Sequence, residues 1–171
     1  MILAVSNDFA IGDTSRPDGL PWGKNKEDLQ HFASLTKGNV VIMGGNTFRQ
    51  LQDISFENGL PDRDNLVMTR DEDKVELIYD EDYYCQVEEE DYVRRFLRLH
   101  HKHDNDIFII GGASIYQQLH PHCERVYLTC INKTFPDADV RINLDFLCNF
   151  AIISRKKLNE YSHVEVWERK K

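Results

Sequence analysis

The chain has 171 residues, 41% of them hydrophobic and 29% charged, with a formal net charge of −8. That length and balance fit one soluble globular domain, 1–171, whose core needs no staples. No apolar run nears the roughly 18–20 residues that cross a bilayer, the apolar start carries no basic leader, and Cys85, Cys123, Cys130 and Cys148 show no C-x-x-C spacing. We therefore expect cytoplasmic residence, reduced thiols, no membrane partner and no metal centre.

The charge is uneven. Asp71 to Asp91 holds eleven acidic residues and one Lys, a net −10 that leaves +2 for the rest. The acidic stretch reads as a solvated loop and helix start. Nucleic acid is not an expected partner, because basic residues do not interleave with aromatics along a stripe.

In chain order, Ile2–Asn7 reads as a buried strand. Gly12–Lys24, with three Gly and two Pro, is a loop long enough to ask for a purpose. Lys26–Thr36 reads as a helix with Asp28, Phe32 and Leu35 on one face, ended by Lys37-Gly38. Val40–Met43 is a buried strand, and Gly44-Gly45 breaks into a short helix at Asn46–Leu51. Leu66–Thr69 and Tyr83–Val87 are strands, and Glu88–His101 is a helix whose terminal charges complement its dipole. Ile107–Ile110 stops at Gly111-Gly112, before a helix at Ser114–Leu119 that Pro121 ends. Val126–Ile131 is a strand; Phe150–Ser154 and Val164–Arg169 form a closing antiparallel pair. Buried strands alternating with helices predict an α/β domain on a mostly parallel sheet with an antiparallel C-terminal edge.

In such sheets ligands bind beyond the carboxyl ends of the strands. There the chain places the Gly12–Lys24 loop and two Gly-bearing turns that open helices, Gly44-Gly45-Asn46-Thr47 and Gly111-Gly112-Ala113-Ser114. Helix N-termini with Gly suit phosphate, although neither turn matches G-x-G-x-x-G or the P-loop. Asp28, a carboxylate on an apolar helix face, needs a partner or serves its helix dipole. The histidines at His100-His101-Lys102-His103 and His120-Pro121-His122 sit at a helix end and a Pro turn, where a metal role is not expected.

Four ordered motifs then resemble dihydrofolate reductase. They are Leu20-Pro21-Trp22-Gly23 before the helix bearing Asp28, Leu29 and Phe32; Val41-Ile42-Met43-Gly44 leading to Thr47-Phe48; Ile109-Ile110-Gly111-Gly112 leading to Ile115-Tyr116; and Tyr127-Leu128-Thr129. The resemblance implies an eight-stranded mixed sheet flanked by about four helices. It also implies hydride transfer from NADPH to C6 of 7,8-dihydrofolate with protonation at N5, by a monomer or weak homodimer.

Asp28 would pair with the pterin's N3–H and 2-amino group, with Trp22, Leu20 and Thr129 completing the catalytic set. Ala4, Val5 and Ile110 would meet the pterin edge. Leu29, Phe32 and Leu60 would pack on the pterin and benzoyl rings, and Arg63 would grip the glutamate carboxylate. Leu20 would tip a mobile loop over the nicotinamide, bordered by Ala4, Ile11 and Gly12. The rest of the implied cofactor set is Gly44, Gly45, Asn46 and Thr47, then Thr69 and Arg70 for the 2′-phosphate, then Ile110, a cis Gly111–Gly112 peptide, Ala113, Ser114, Ile115 and Tyr116.

Two places depart from the pattern. Gly45-Asn46 stands where the family commonly has a basic residue, and Asp62 stands beside Arg63 in the usual Pro-Gly-Arg. Two other readings remain: an NADPH-dependent reductase of riboflavin biosynthesis on a similar fold, and a non-catalytic folate- or nucleotide-binding protein.

Overall fold

Val40, Val41, Ile42, Met43 and Gly44 are buried at every position, as a strand covered on both faces must be. This strand, β3 (Val40–Gly44), lies at the centre of a four-stranded parallel sheet. Its partners are β4 (Asp64–Thr69) and β6 (Ile107–Gly111), and β5 (Tyr84–Gln86) lies outside β4. The computed structural model describes residues 1–69, 84–86 and 105–171. The expected helix Glu88–His101 lies outside them.

A second four-stranded sheet has the order β1-β7-β10-β9, from β1 (Ile2–Ser6), β7 (Arg125–Ile131), β10 (Ser162–Arg169) and β9 (Phe150–Lys157). β1 and β7 are parallel, and β7, β10 and β9 are antiparallel, the expected C-terminal edge. β9 leaves Ser154, Arg155, Lys156 and Lys157 exposed, and charge on an open edge discourages pairing with another chain. Two short strands, β2 (Ala10–Gly12) and β8 (Val140–Arg141), pair antiparallel.

The hydrogen-bonded groups are thus four, four and two strands, where one eight-stranded, mostly parallel sheet was expected. Between β1 and β6 the Tyr116 hydroxyl lies 2.7 Å from Ile110 O and 2.9 Å from Ile2 O, within reach of either carbonyl. Three α-helices are described: α1 (Lys26–Thr36), α2 (Gly45–Asp53) and α3 (Ala113–Leu119).

The core splits between the faces. Phe32 and Leu35 of α1 and Phe48 and Leu51 of α2 pack with Val41, Met43 and Tyr127. Ile115, Tyr116 and Leu119 of α3 pack with Ile42, Val126 and Leu128 on the other side. No helix among the described residues is long and apolar enough to cross a membrane.

Candidate active site

Asp28 sits in the first turn of α1 because Asn25 caps that helix. The Asn25 side chain accepts from the Asp28 amide at 3.4 Å. Asn25 is itself buried, donating to Ser162 Oγ and accepting from Asn159 Nδ2. The start of α1 is therefore pinned to the β9–β10 hairpin. The Asp28 backbone sits behind this anchor, and its carboxylate reaches a cleft of about 1660 Å³ at the carboxyl ends of the central strands.

Thr129, 1% exposed, donates its hydroxyl to Asp28 Oδ1 at 2.6 Å. β7 delivers it there, with Thr129 opposite Ala4 on β1 and Val164 on β10. Burial raises the Asp28 pKa above the ordinary carboxylate value; the Thr129 bond and the nearby His31 pull the other way. His31, one turn on, keeps its Nε2 buried without a hydrogen-bond partner. Burial lowers its pKa and Lys156 adds to that, against the pull of Asp28. Nothing in the sequence reading singled out Asn25 or His31.

Around that carboxylate the cleft is apolar. Leu29 and Ile54 line it while exposing 41% and 37% of their surfaces, unusual for such residues unless a ligand covers them. Phe32, Leu60, Ala4 and Ile110 line it too. Arg63 lines the end near α1, its guanidinium 5.6 Å over the Phe32 ring, fixed by bonds to Thr36 Oγ1 and Pro61 O. Asp62, the suspect neighbour, turns instead to Lys37 at 3.1 Å.

The other end of the cleft is lined by two helix starts. Gly44 and Gly112 are the N-caps of α2 and α3, and neither offers a side-chain cap, although in α3 the Ile115 amide already donates to Gly112 O at 3.0 Å. Gly45, Asn46 and Thr47 line this end with Gly111, Ala113, Ser114, Ile115 and Tyr116. The turns need glycine: a Cβ on Gly44 would lie 3.0 Å from Ile115 Cγ1, and Gly111 has φ +124° with the Tyr116 hydroxyl 3.1 Å from a Cβ placed there. The Gly111–Gly112 peptide is cis. Burial holds the Tyr116 phenol protonated, with Asp28 reinforcing it.

Ile11, Gly12, Gly19 and Leu20 border the cleft from the long loop. Thr14 ties that loop down, its amide donating to Asp139 Oδ1 at 2.9 Å and its hydroxyl donating to Asp139 Oδ2.

Val5, Trp22 and Thr129 do not line the cleft. Val5 is buried in the core, and Thr129 acts from behind Asp28. Trp22 meets Phe135 edge-on at 6.0 Å, its Nε1 buried without a partner. Thr69 ends β4 opposite Gln86, and Arg70 lies outside the described residues. Away from the cleft, Cys130, His163 and Glu165 bring three potential metal ligands within 4.8 Å. Arg155 already donates to Glu165 Oε1 from Nε at 2.9 Å and from its other nitrogen at 2.5 Å, balancing that charge.

A family model described as dihydrofolate reductase matches residues 1–167. The chain belongs to the dihydrofolate reductase family. It is 28% identical over 163 residues to the dihydrofolate reductase of Lactococcus lactis, a match covering 91% of this chain and 86% of that one. With the Bacillus subtilis dihydrofolate reductase it shares 31% over 141 residues, covering 78% and 69%. A dihydrofolate reductase from Enterococcus faecalis, solved with NADP(H) and RAB-propyl, has the same fold. Its TM-score is 0.77 at 23% identity, over 99% of this chain and 95% of that one.

Proposed function

We infer that this chain reduces 7,8-dihydrofolate to 5,6,7,8-tetrahydrofolate with NADPH, acting as a single domain in one-carbon metabolism. The observation that carries this is the Asp28 carboxylate, bonded by Thr129 at the floor of an apolar cleft, beside two helix N-termini that lack side-chain caps.

The residues present fit both ligands. N–H groups at α2 and α3, with the Thr47 side chain, match a pyrophosphate. Ile11, Gly12 and Leu20 would border the nicotinamide, with Thr69 and Arg70 toward the adenosine phosphate. Asp28 would accept from the pterin N3–H and 2-amino group in two parallel charge-assisted bonds, which set the ring's orientation. Leu29, Phe32 and Leu60 would enclose the pterin and benzoyl rings, and Arg63 would hold the glutamate carboxylate.

When bound, NADPH supplies the hydride that bonds to C6, while N5 takes a proton and the C6–N5 double bond becomes single. Asp28 raises the basicity of N5 by its negative charge, and water delivers the proton. Thr129 donates to Oδ1, whose second lone pair stays open with Oδ2 for the pterin's two donors. Leu20 and its loop exclude bulk water, which strengthens every charge interaction inside.

The test follows NADPH absorbance with dihydrofolate and, separately, with a ribosyl-aminopyrimidine. Turnover of dihydrofolate that falls at least about 10²-fold in kcat/KM in Asp28→Asn supports the reading. Turnover of the aminopyrimidine alone, or of neither substrate, overturns it.

A further inference from the structure

Among the described residues, the two helix starts at this end of the cleft carry no charged side chain. The first-turn residues of α2 are Gly45, Asn46 and Thr47, and those of α3 are Ala113, Ser114 and Ile115, all uncharged. Backbone N–H groups and helix dipoles supply only partial charges. A cofactor with a pyrophosphate and a 2′-phosphate brings several full negative charges. Something cationic should meet them.

Four cationic side chains among the described residues line the cleft: Lys24, Lys37, Arg49 and Arg63. Lys37 is paired with Asp62. Arg63 is fixed over Phe32 by bonds to Thr36 and Pro61, at the far end. Lys24 lies at the end of the long loop, just before the start of α1. Arg49 alone rises from α2, one of those two helices.

Arg49 also points the right way. Side chains on a helix lean toward its N-terminus, so a residue in the second turn covers the first. Arg49 and Asn46 are three apart and share a face. The Arg49 guanidinium donates to Asn46 Oδ1, which draws it back over the helix start. Among the described residues no carboxylate pairs with Arg49. One bond to a neutral amide leaves most of its five N–H donors and its whole charge for a ligand. Being held beforehand, it loses less freedom on binding.

We propose that Arg49, steered by Asn46, is the cation that binds a phosphate of the nucleotide cofactor at the start of α2. The proposal rests on the cleft being the NADPH site. It gives Asn46 a role other than direct contact: it positions the arginine.

The test titrates NADPH and NADH against wild type, Arg49→Ala, Arg49→Lys and Asn46→Ala, reading quenching of tryptophan fluorescence at low and high salt. Arg49→Ala should weaken NADPH binding about tenfold or more and flatten its salt dependence. Arg49→Lys should recover part of the affinity, and Asn46→Ala should lose a few-fold because the cation remains but is not held. A loss confined to NADPH places the guanidinium on the 2′-phosphate, and an equal loss for NADH places it on the pyrophosphate; either supports the proposal. Wild-type affinity for both cofactors in Arg49→Ala overturns it. Failure of the wild-type protein to bind either cofactor would instead overturn the reading of the cleft.

Discussion

Thr129→Val isolates one hydrogen bond. The substitution keeps the branched shape and removes only the hydroxyl, at a site 1% exposed, 2.6 Å from Asp28 Oδ1. A bond to a charged acceptor contributes about 1.5–3 kcal/mol, and here all of it favours the ionised carboxylate. Its loss removes that preference, so Asp28 holds its proton to higher pH. Burial already pushes the same way, and only the nearby His31 is left to oppose it. The assay is kcat/KM for dihydrofolate across pH 5 to 10, with single-turnover hydride transfer measured alongside. The proton-dependent limb should move to higher pH in Thr129→Val and stay near wild type in Thr129→Ser, which retains a donor. Thr129→Val profiles that superimpose on wild type would refute the argument that this hydroxyl controls Asp28.

Asp28→Asn should lose activity and gain stability. The folded-state pKa of Asp28 lies above its unfolded value, so its folded form binds the extra proton and stability falls as pH rises through that window. The variant should therefore melt above wild type at pH 7, with the gap closing below about pH 4. Asn25→Ala removes the α1 cap and two side-chain bonds in a buried network, and should cost about 1–3 kcal/mol by urea unfolding. Asp139→Ala frees Thr14, and should speed amide exchange there about 2- to 10-fold with the melting temperature unchanged.

Elements that announce themselves locally were legible. The 3.6-residue period over Lys26–Thr36 and its Lys37-Gly38 stop gave the bounds of α1 as found. Continuous apolar runs marked β3, β6 and β7 to within one residue at each end. β2 and β8 were not legible, because three residues and two residues carry no period. They exist only through pairing across some 130 positions, as Ala10 opposite Arg141. At α2 the expected Asn46–Leu51 fell one residue short at the start and two at the end of Gly45–Asp53.

The site shows the same division more sharply. Asp28 could be singled out because a carboxylate on an apolar face is anomalous within its own helix. Its partners could not be derived that way, since Thr129 lies 101 positions on and Ser162, through Asn25, 137. Asp62 looked like a competitor for the carboxylate that Arg63 would bind, on adjacency alone. Its positive φ of 59° turns the chain at that point, and the carboxylate meets Lys37 instead. The Asp62 charge still acts on the Arg63 guanidinium, so adjacency foretold the field but not the ion pair. What fixes the chemistry is register: Thr129 faces Asp28 because β7 sits with Thr129 opposite Ala4 and Val164. A slip of one residue would turn Leu128 or Cys130 toward the carboxylate and send the hydroxyl into the core. The apolar alternation that buries Val126 and Leu128 on one face therefore also delivers the one polar group that Asp28 requires on the other.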